Sequence, residues 1–306
     1  MLSIILFRFQ PIIIVLKIDV RMMSYNRIII ERKLREYLEE DCSFQDVSSQ
    51  IITSNSKTSA KIKAKNKGYV SGLEELKILY EILNVESILK KKDGEKVKKG
   101  DIVVELSGST RDILLGERTI LNLITHMSAI TTTTRKYVNL IKKSGKNTKI
   151  ACTRKTIPGL RIFEKKAVEL GGGDTHRFSL DDMLLLKDTH LKFYNGDVEK
   201  LLSDAKNSAS FSKKIEIEIE KIEDVLIAAR NGADIIMLDN MTPEHAKEAM
   251  GILEENSLRD KVIIEISGGI NTQNFEDYLL TEPDIISSGE LTLFPTEKLD
   301  LSLRFD

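Results

Sequence analysis

KIEIEIE (214–220), DIIMLDN (234–240), VIIEISGG (262–269) and DIISSGE (284–290) follow one another at nearly even intervals, and each is an apolar run that ends on polar or charged residues. KIACTRK (149–155) and MLLLKDTH (183–190) have the same form further upstream. Segments of helical character, such as 225–231 and 243–256, lie between them. Strands alternating with helices predict a parallel sheet covered by helices. At least six such units in the second half of the chain favour closure into a barrel. Barrels of this kind carry their chemistry at the carboxyl ends of the strands. Here those ends offer Arg154, Lys155, Lys187, Asp188, His190, Glu218, Asp239 and the Ser-Gly-Gly turn 267–269.

A chain of 306 residues, 41% hydrophobic and 30% charged, can bury a sizeable core and has room for about two domains. The net charge of −1 supplies no global field for nucleic acid, so any anion must be bound by a local cluster. Cys42 and Cys152 are too few and too far apart for a disulfide framework or a metal site, which fits a reduced cytoplasmic protein. Cys152 falls in a predicted strand and reads as a core thiol. The apolar residues 1–23 are interrupted by Arg8, Lys17 and Asp19, too often for the ~20-residue span that crosses a membrane. They read as a dispensable extension, with a peripheral anchor as the alternative.

The first half has another texture. Residues 27–41 suit an amphipathic helix with Ile29, Ile30, Leu34 and Leu38 on one side. AKIKAKNKGYVSG (60–72) alternates like a half-exposed strand, a helix is expected over 73–83, and 85–108 holds two glycine turns between β-type runs. This region, 24–128, predicts a separate α+β sandwich domain, joined by the tail 291–306 and followed by a barrel over 129–290. A lipoyl- or biotin-carrier reading of DGEKVKKGD lacks an obvious modifiable lysine. The helical stretch 116–145 is expected to break at the threonines 131–134.

The candidate chemistry is anion recognition beside carboxylates. Arg154, Lys155, His176, Arg177 and Lys187 would converge at one barrel mouth, and such a cluster suits a substrate with several carboxylates or phosphates. Taken singly, each reads more readily as a solvated surface charge than as a ligand-binding group; together, at strand ends and in one adjoining loop, they do not. Alternation along a strand puts Glu216, Glu218 and Glu220 on one face. Facing the barrel interior they require compensating cations or a metal; the alternative is an edge strand with a wet acidic face. Asp239 could share Mg²⁺ with Glu218. The turns at Ser267-Gly268-Gly269 and Gly289 let backbone N–H groups approach a phosphate. Gly171-Gly172-Gly173 reads as a helix C-cap and loop. His190 joins His176 as a candidate contact, whereas His126 and His245 read as structural. Zinc-hydrolase, nucleophile-elbow and P-loop patterns are absent from the sequence.

ERTILNLITHMSAITT, TRKTIPGLRIFEKKAVELGGGDTHR, DDMLLLKDTH, IEIEIE, IMLDNM and EISGGI, in this order, closely resemble the quinolinate phosphoribosyltransferase family over about residues 25–291. The resemblance implies an N-terminal α+β sandwich beside an incomplete α/β barrel, in homodimers with shared active sites, with hexamers left open. It implies transfer of a phosphoribosyl group from phosphoribosyl pyrophosphate to quinolinate with Mg²⁺, releasing CO₂ and pyrophosphate.

Position by position, the resemblance implies that Arg118, Arg154, His176, Arg177 and Lys187 bind the two quinolinate carboxylates, Arg118 reaching in from the neighbouring subunit. It places Lys155 between the substrates, Glu218 and Asp239 at the ribose and the metal-bound donor, and Ser267, Gly268, Gly269 and Gly289 around the 5-phosphate. Lys155, Glu218 and Asp239 are the implied catalytic residues. Asp174-Thr175 and Thr189 depart from the commoner family residues. The molybdate-operon homologue and nicotinate phosphoribosyltransferase are the related alternatives, and a non-catalytic phosphate sensor the unrelated one.

Overall fold

The computed structural model describes residues 25–306, so the expected N-terminal extension lies outside the described residues. The first half comprises α1 (Arg27–Asp41), β1 (Lys57–Ala64), β2 (Gly68–Tyr69), α2 (Leu73–Ile82), β3 (Glu86–Leu89), β4 (Lys96–Val97), β5 (Ile102–Ser109) and the long α3 (Thr110–Ser144). The second half alternates: β6 (Lys149–Cys152), α4 (Arg161–Gly171), β7 (Leu184–Leu186), α5 (Asp188–Phe193), α6 (Val198–Ser208), β8 (Ile215–Ile219), α7 (Ile222–Arg230), β9 (Ile235–Asp239), α8 (Pro243–Glu255), β10 (Ile263–Ser267), α9 (Phe275–Leu279), β11 (Ile285–Ser288) and α10 (Glu290–Leu293). A final strand, β12 (Leu301–Phe305), returns to pair antiparallel with β1.

The six apolar runs that predicted the fold are the six strands of one parallel sheet, in the order β6-β11-β10-β9-β8-β7. Strands β6 and β7 are its two edges and do not pair with each other, so the barrel is incomplete. Part of the seam is occupied by the segment after α4, where Asp174 bridges in parallel to Ala151. Strand β8 lies between β7 and β9, which excludes the edge-strand reading of KIEIEIE. A second sheet, β12-β1-β5-β3, is antiparallel and hosts the C-terminal tail, and β2 and β4 form a two-stranded antiparallel pair.

Helix α3 corrects the expectation of a break at Thr131–Thr134. It is one continuous helix of 35 residues, opened by the Ser109 cap on the Asp112 N–H and closed at Gly145 with φ 71°. Threonine costs only a few tenths of a kcal/mol in a helix relative to better formers, and tertiary contacts outweigh that here. Thr131 Oγ1 donates to the Ala167 carbonyl, while the hydroxyls of Thr132 and Thr133 accept from the N–H groups of Tyr69 and Glu297. Thr134 packs where a Cβ on Gly171 would lie 2.5 Å from its own Cβ. The four threonines thus tie α3 to α4, to β2 and to the segment before β12. In α1, Ile30 and Leu34 are buried as expected, but Ile29 is 38% exposed and leaves the predicted stripe. Among the described residues no helix is long and apolar enough to cross a membrane.

Candidate active site

The carboxyl ends of the parallel strands surround a cavity of about 570 Å³. Arg154, Lys155, His176, Arg177, Lys187, Glu218, Asp239, Ser267, Gly268 and Gly269 all line it, ten of the twelve residues expected there. Gly289 sits just behind the wall, where a Cβ would come within 3.0 Å of Lys155 Cδ. Arg118 does not join them. Its side chain is 74% exposed on α3 and, among the described residues, forms an ion pair only with Glu117 at 3.8 Å.

Two guanidinium groups face the same space. Arg177 is 7% exposed, and burial together with the charge of Arg154 pushes its pKa below the usual arginine value. Arg154 Nε is buried with no hydrogen-bond partner among the described residues. Buried charges and donors left unpaired are costly, and an anion in the cavity would satisfy both arginines.

The acidic face of β8 points inward, and each carboxylate has its own environment. Glu218 accepts from Lys187 Nζ at 2.5 Å; Glu220 is exposed at the rim. Glu216 is fully buried 3.3 Å from His176 Nε2, and Glu265 of β10 accepts from the same nitrogen at 2.9 Å. One N–H cannot serve both acceptors, and the shorter contact marks Glu265 as the hydrogen-bond partner, leaving Glu216 a Coulombic one. These atoms also lie within coordination range of one another, but 2.9 Å is hydrogen-bond length and a proton already fills the gap.

Burial opposes a charge on His176, but the hydrogen bond to Glu265 and the charges of Glu265 and Glu216 prevail and hold its pKa up at about 10. The Arg177 N–H donates to Nδ1 at 2.7 Å and favours the neutral ring. An imidazolium carries a proton on both nitrogens, so this geometry is that of the neutral Nε2–H tautomer donating to Glu265, and we assign the charged ring to a state in which the Arg177 N–H has left Nδ1. A pKa raised on folding contributes stability that is complete below about 6.5 and is lost as pH rises through about 10. Urea midpoints should therefore fall between those pH values, and Glu265→Gln should flatten the decline. Parallel pH profiles for the two proteins would refute this assignment.

Local structure fixes these groups. His176 has φ 52°, a turn held by Asp174, whose carboxylate accepts the His176 N–H at 2.8 Å. Asp174, one of the departures from the commoner family residues, thus makes a side-chain hydrogen bond of its own. Gly268, at φ 96°, is obligatory because a Cβ would fall 2.3 Å from Asn240 Oδ1, whereas Gly269 opens onto free space. Asn240 in turn donates to Asp239 Oδ2 at 2.8 Å. His190 is corrected: it lies outside the cavity, where its Nδ1 accepts the Lys187 N–H at 2.9 Å at the start of α5. His126 bonds Glu164 at 2.8 Å and His245 lies in the Thr242-capped turn of α8, both structural as expected. Gly172 is the left-handed C-cap of α4.

A cationic basin with carboxylates at one side and a Ser-Gly-Gly turn at the other, on the carboxyl end of an α/β barrel, defines an enzyme that handles phosphorylated and carboxylated small molecules. Comparison with known proteins specifies the class. The profiles described as quinolinate phosphoribosyl transferase, N-terminal and C-terminal domain, match residues 46–128 and 130–304. A probable nicotinate-nucleotide pyrophosphorylase (carboxylating) of Archaeoglobus fulgidus is 44% identical over 245 residues, 80% of this chain and 93% of that protein. One of the same description from Methanothermobacter thermautotrophicus is 40% identical over 272 residues, 89% and 97% of the two chains. The solved nicotinate-nucleotide pyrophosphorylase of Francisella tularensis superposes with a TM-score of 0.83 at 34% identity, covering 91% of this chain and 96% of that one. The chain belongs to the quinolinate phosphoribosyltransferase family.

Proposed function

We propose that this chain transfers the phosphoribosyl group of phosphoribosyl pyrophosphate to the ring nitrogen of quinolinate, with loss of CO₂ and pyrophosphate, giving nicotinate mononucleotide for NAD biosynthesis. The observation that carries the reading is the buried, unpartnered Arg154 Nε beside the desolvated Arg177. A planar diacid with adjacent carboxylates supplies the anions that Arg154, His176, Arg177 and Lys187 await. Lys155 stands at the junction of the two substrates. Glu218 and Asp239 face the sugar carbon, where departure of pyrophosphate leaves oxocarbenium-like charge that carboxylates stabilise. Ser267, Gly268, Gly269 and Gly289 receive the 5-phosphate through backbone N–H groups.

The expected cofactor is Mg²⁺. Glu218 and Asp239 are hard oxygen donors on the adjacent strands β8 and β9, a sparse set suited to an ion that keeps water and substrate phosphate in its shell. When bound, Mg²⁺ neutralises the leaving pyrophosphate. Once the ring nitrogen carries the ribosyl group, its positive charge stabilises the electron pair left on the adjacent carbon as CO₂ departs, and that carbon then takes a proton. Decarboxylation thus needs no second cofactor.

Arg118 completes the pocket of a neighbouring copy in a homodimer, a reading supported by its exposure outside the cavity of its own protomer. The defining test mixes the purified protein with quinolinate, phosphoribosyl pyrophosphate and Mg²⁺ and resolves nicotinate mononucleotide by chromatography. Product should form from quinolinate, not from nicotinate, and should vanish without Mg²⁺. Folded protein that binds the donor but leaves quinolinate unchanged would move the acceptor to another acid.

A further inference from the structure

Lys165 is fully buried in α4. Among the described residues no carboxylate lies within ion-pair distance of it, in contrast to its neighbour Lys166, which pairs with Glu74 at 2.6 Å and Glu75 at 2.9 Å. Instead, Lys165 Nζ donates to the carbonyl of Thr153 at 3.3 Å and to that of Thr175, and touches Cys152 Sγ at 3.5 Å. The thiol does not neutralise it, since burial pushes the Cys152 pKa up. Burying a lysine without a counter-ion is expensive, and a methionine of similar volume would fill this space at lower cost. The arrangement therefore requires a use.

Its two carbonyl partners indicate that use. Thr153 is followed directly by Arg154 and Lys155, and Thr175 directly by His176 and Arg177. These segments leave the sheet at different points, one at the end of β6 and the other after α4. The strand bridge between Ala151 and Asp174 sets their register one layer below, and Cys152 N–H donates to the Asp174 carbonyl at 3.0 Å. Above that layer, β6 has no further pairing with the segment. The Lys165 amine joins the two exactly where strand pairing stops, whether it carries two protons or three.

We propose that Lys165 is a positioning residue that fixes the spacing between the Arg154-Lys155 pair and the His176-Arg177 pair, and so matches the pocket to a vicinal diacid. This rests on the reading of the cavity as a quinolinate site. Most groups assigned to the phosphoribosyl donor, Glu218, Asp239 and Ser267–Gly269, stand on β8 to β10 and the turn after it; only Lys155, between the two substrates, and Gly289 beside it adjoin the strapped segment. Loosening the strap should therefore fall chiefly on quinolinate.

The test is the steady-state kinetics of Lys165→Met, with near-ultraviolet circular dichroism confirming the fold. The KM for quinolinate should rise about tenfold or more, since misplacement of binding groups by an ångström is that costly. The KM for phosphoribosyl pyrophosphate should stay within about threefold. Lys165→Gln, which keeps an N–H donor, should fall between wild type and Met, and it decides the question by the same ratio if the Met variant does not fold. A lowered melting temperature with both KM values unchanged, or an equal rise in both, overturns the proposal. Wild-type protein that does not convert quinolinate would instead overturn the functional reading, so the two failures are distinct.

Discussion

Glu218→Gln is expected to lower kcat by about 10²–10³-fold while leaving the affinity for quinolinate unchanged or slightly improved. The rate loss follows from the charge that develops at the sugar. Removing one preorganised group aimed at developing charge costs about 3–4 kcal/mol of transition-state stabilisation. Glutamine keeps the shape and a carbonyl dipole but not the negative charge. The sign of the binding effect follows from Lys187. Its Nζ is engaged by Glu218 at 2.5 Å, and neutralising the carboxylate frees that ammonium for the substrate. Single-turnover rates and calorimetric titration with quinolinate measure the two quantities separately. A quinolinate Kd weakened more than about tenfold, with the chemical step intact, would show that Glu218 holds the acid and not the sugar.

The parallel sheet was legible because its strands are short apolar runs, broken by glutamate in β8 and β10, as burial on both faces favours, and each ends in polar or charged groups. The cationic pocket was legible for the same reason: Arg154, Lys155 and Lys187 stand where strands stop. The acidic row of KIEIEIE was legible as a face, and the two cations that offset it, His176 for Glu216 and Lys187 for Glu218, were already among the candidates. What could not be read is the pairing. His176 meets Glu265, a residue 89 positions away on a strand two places removed from that of Glu216, because sheet curvature brings alternate strands to a common interior. The lone glutamate in VIIEIS was the available signal: an ionisable group inside an apolar strand demands a partner.

Helix α4 shows the opposite limit. EKK reads as a solvated face, yet Glu164, Lys165 and Lys166 are all buried. Each of them finds polar partners from another part of the chain: Glu164 accepts from His126, Lys166 pairs with Glu74 and Glu75, and Lys165 takes two backbone carbonyls. None of those partners is close in sequence to its lysine or glutamate at helical spacing, so periodicity carries no trace of them. The threonines of α3 fail for a related reason. Local propensity differences of a few tenths of a kcal/mol per residue cannot compete with contacts that only the tertiary structure supplies.

Arg118→Ala should abolish turnover on its own, and mixing it with equally inactive Arg154→Ala should restore about a quarter of wild-type activity. The figure follows from two-fold symmetry. After full exchange of equal amounts, about half of the dimers are mixed. In a mixed dimer, one cavity keeps its own Arg154 and receives the intact Arg118 of the other subunit; the second cavity lacks both. One competent site in half of the dimers is about a quarter of all sites. The physical basis is placement: Arg118 is exposed on α3 and absent from the wall of the cavity, while Arg154 lines that wall with its Nε buried. An arginine acting within its own protomer could not give this result, because every cavity would then inherit exactly one defect. Exchange must be demonstrated first, for instance with one variant tagged and co-purified with the other. Mixed dimers so isolated that remain at the background of the separate variants would place Arg118 outside the shared site. Recovery near a quarter would establish that each cavity is built from two chains.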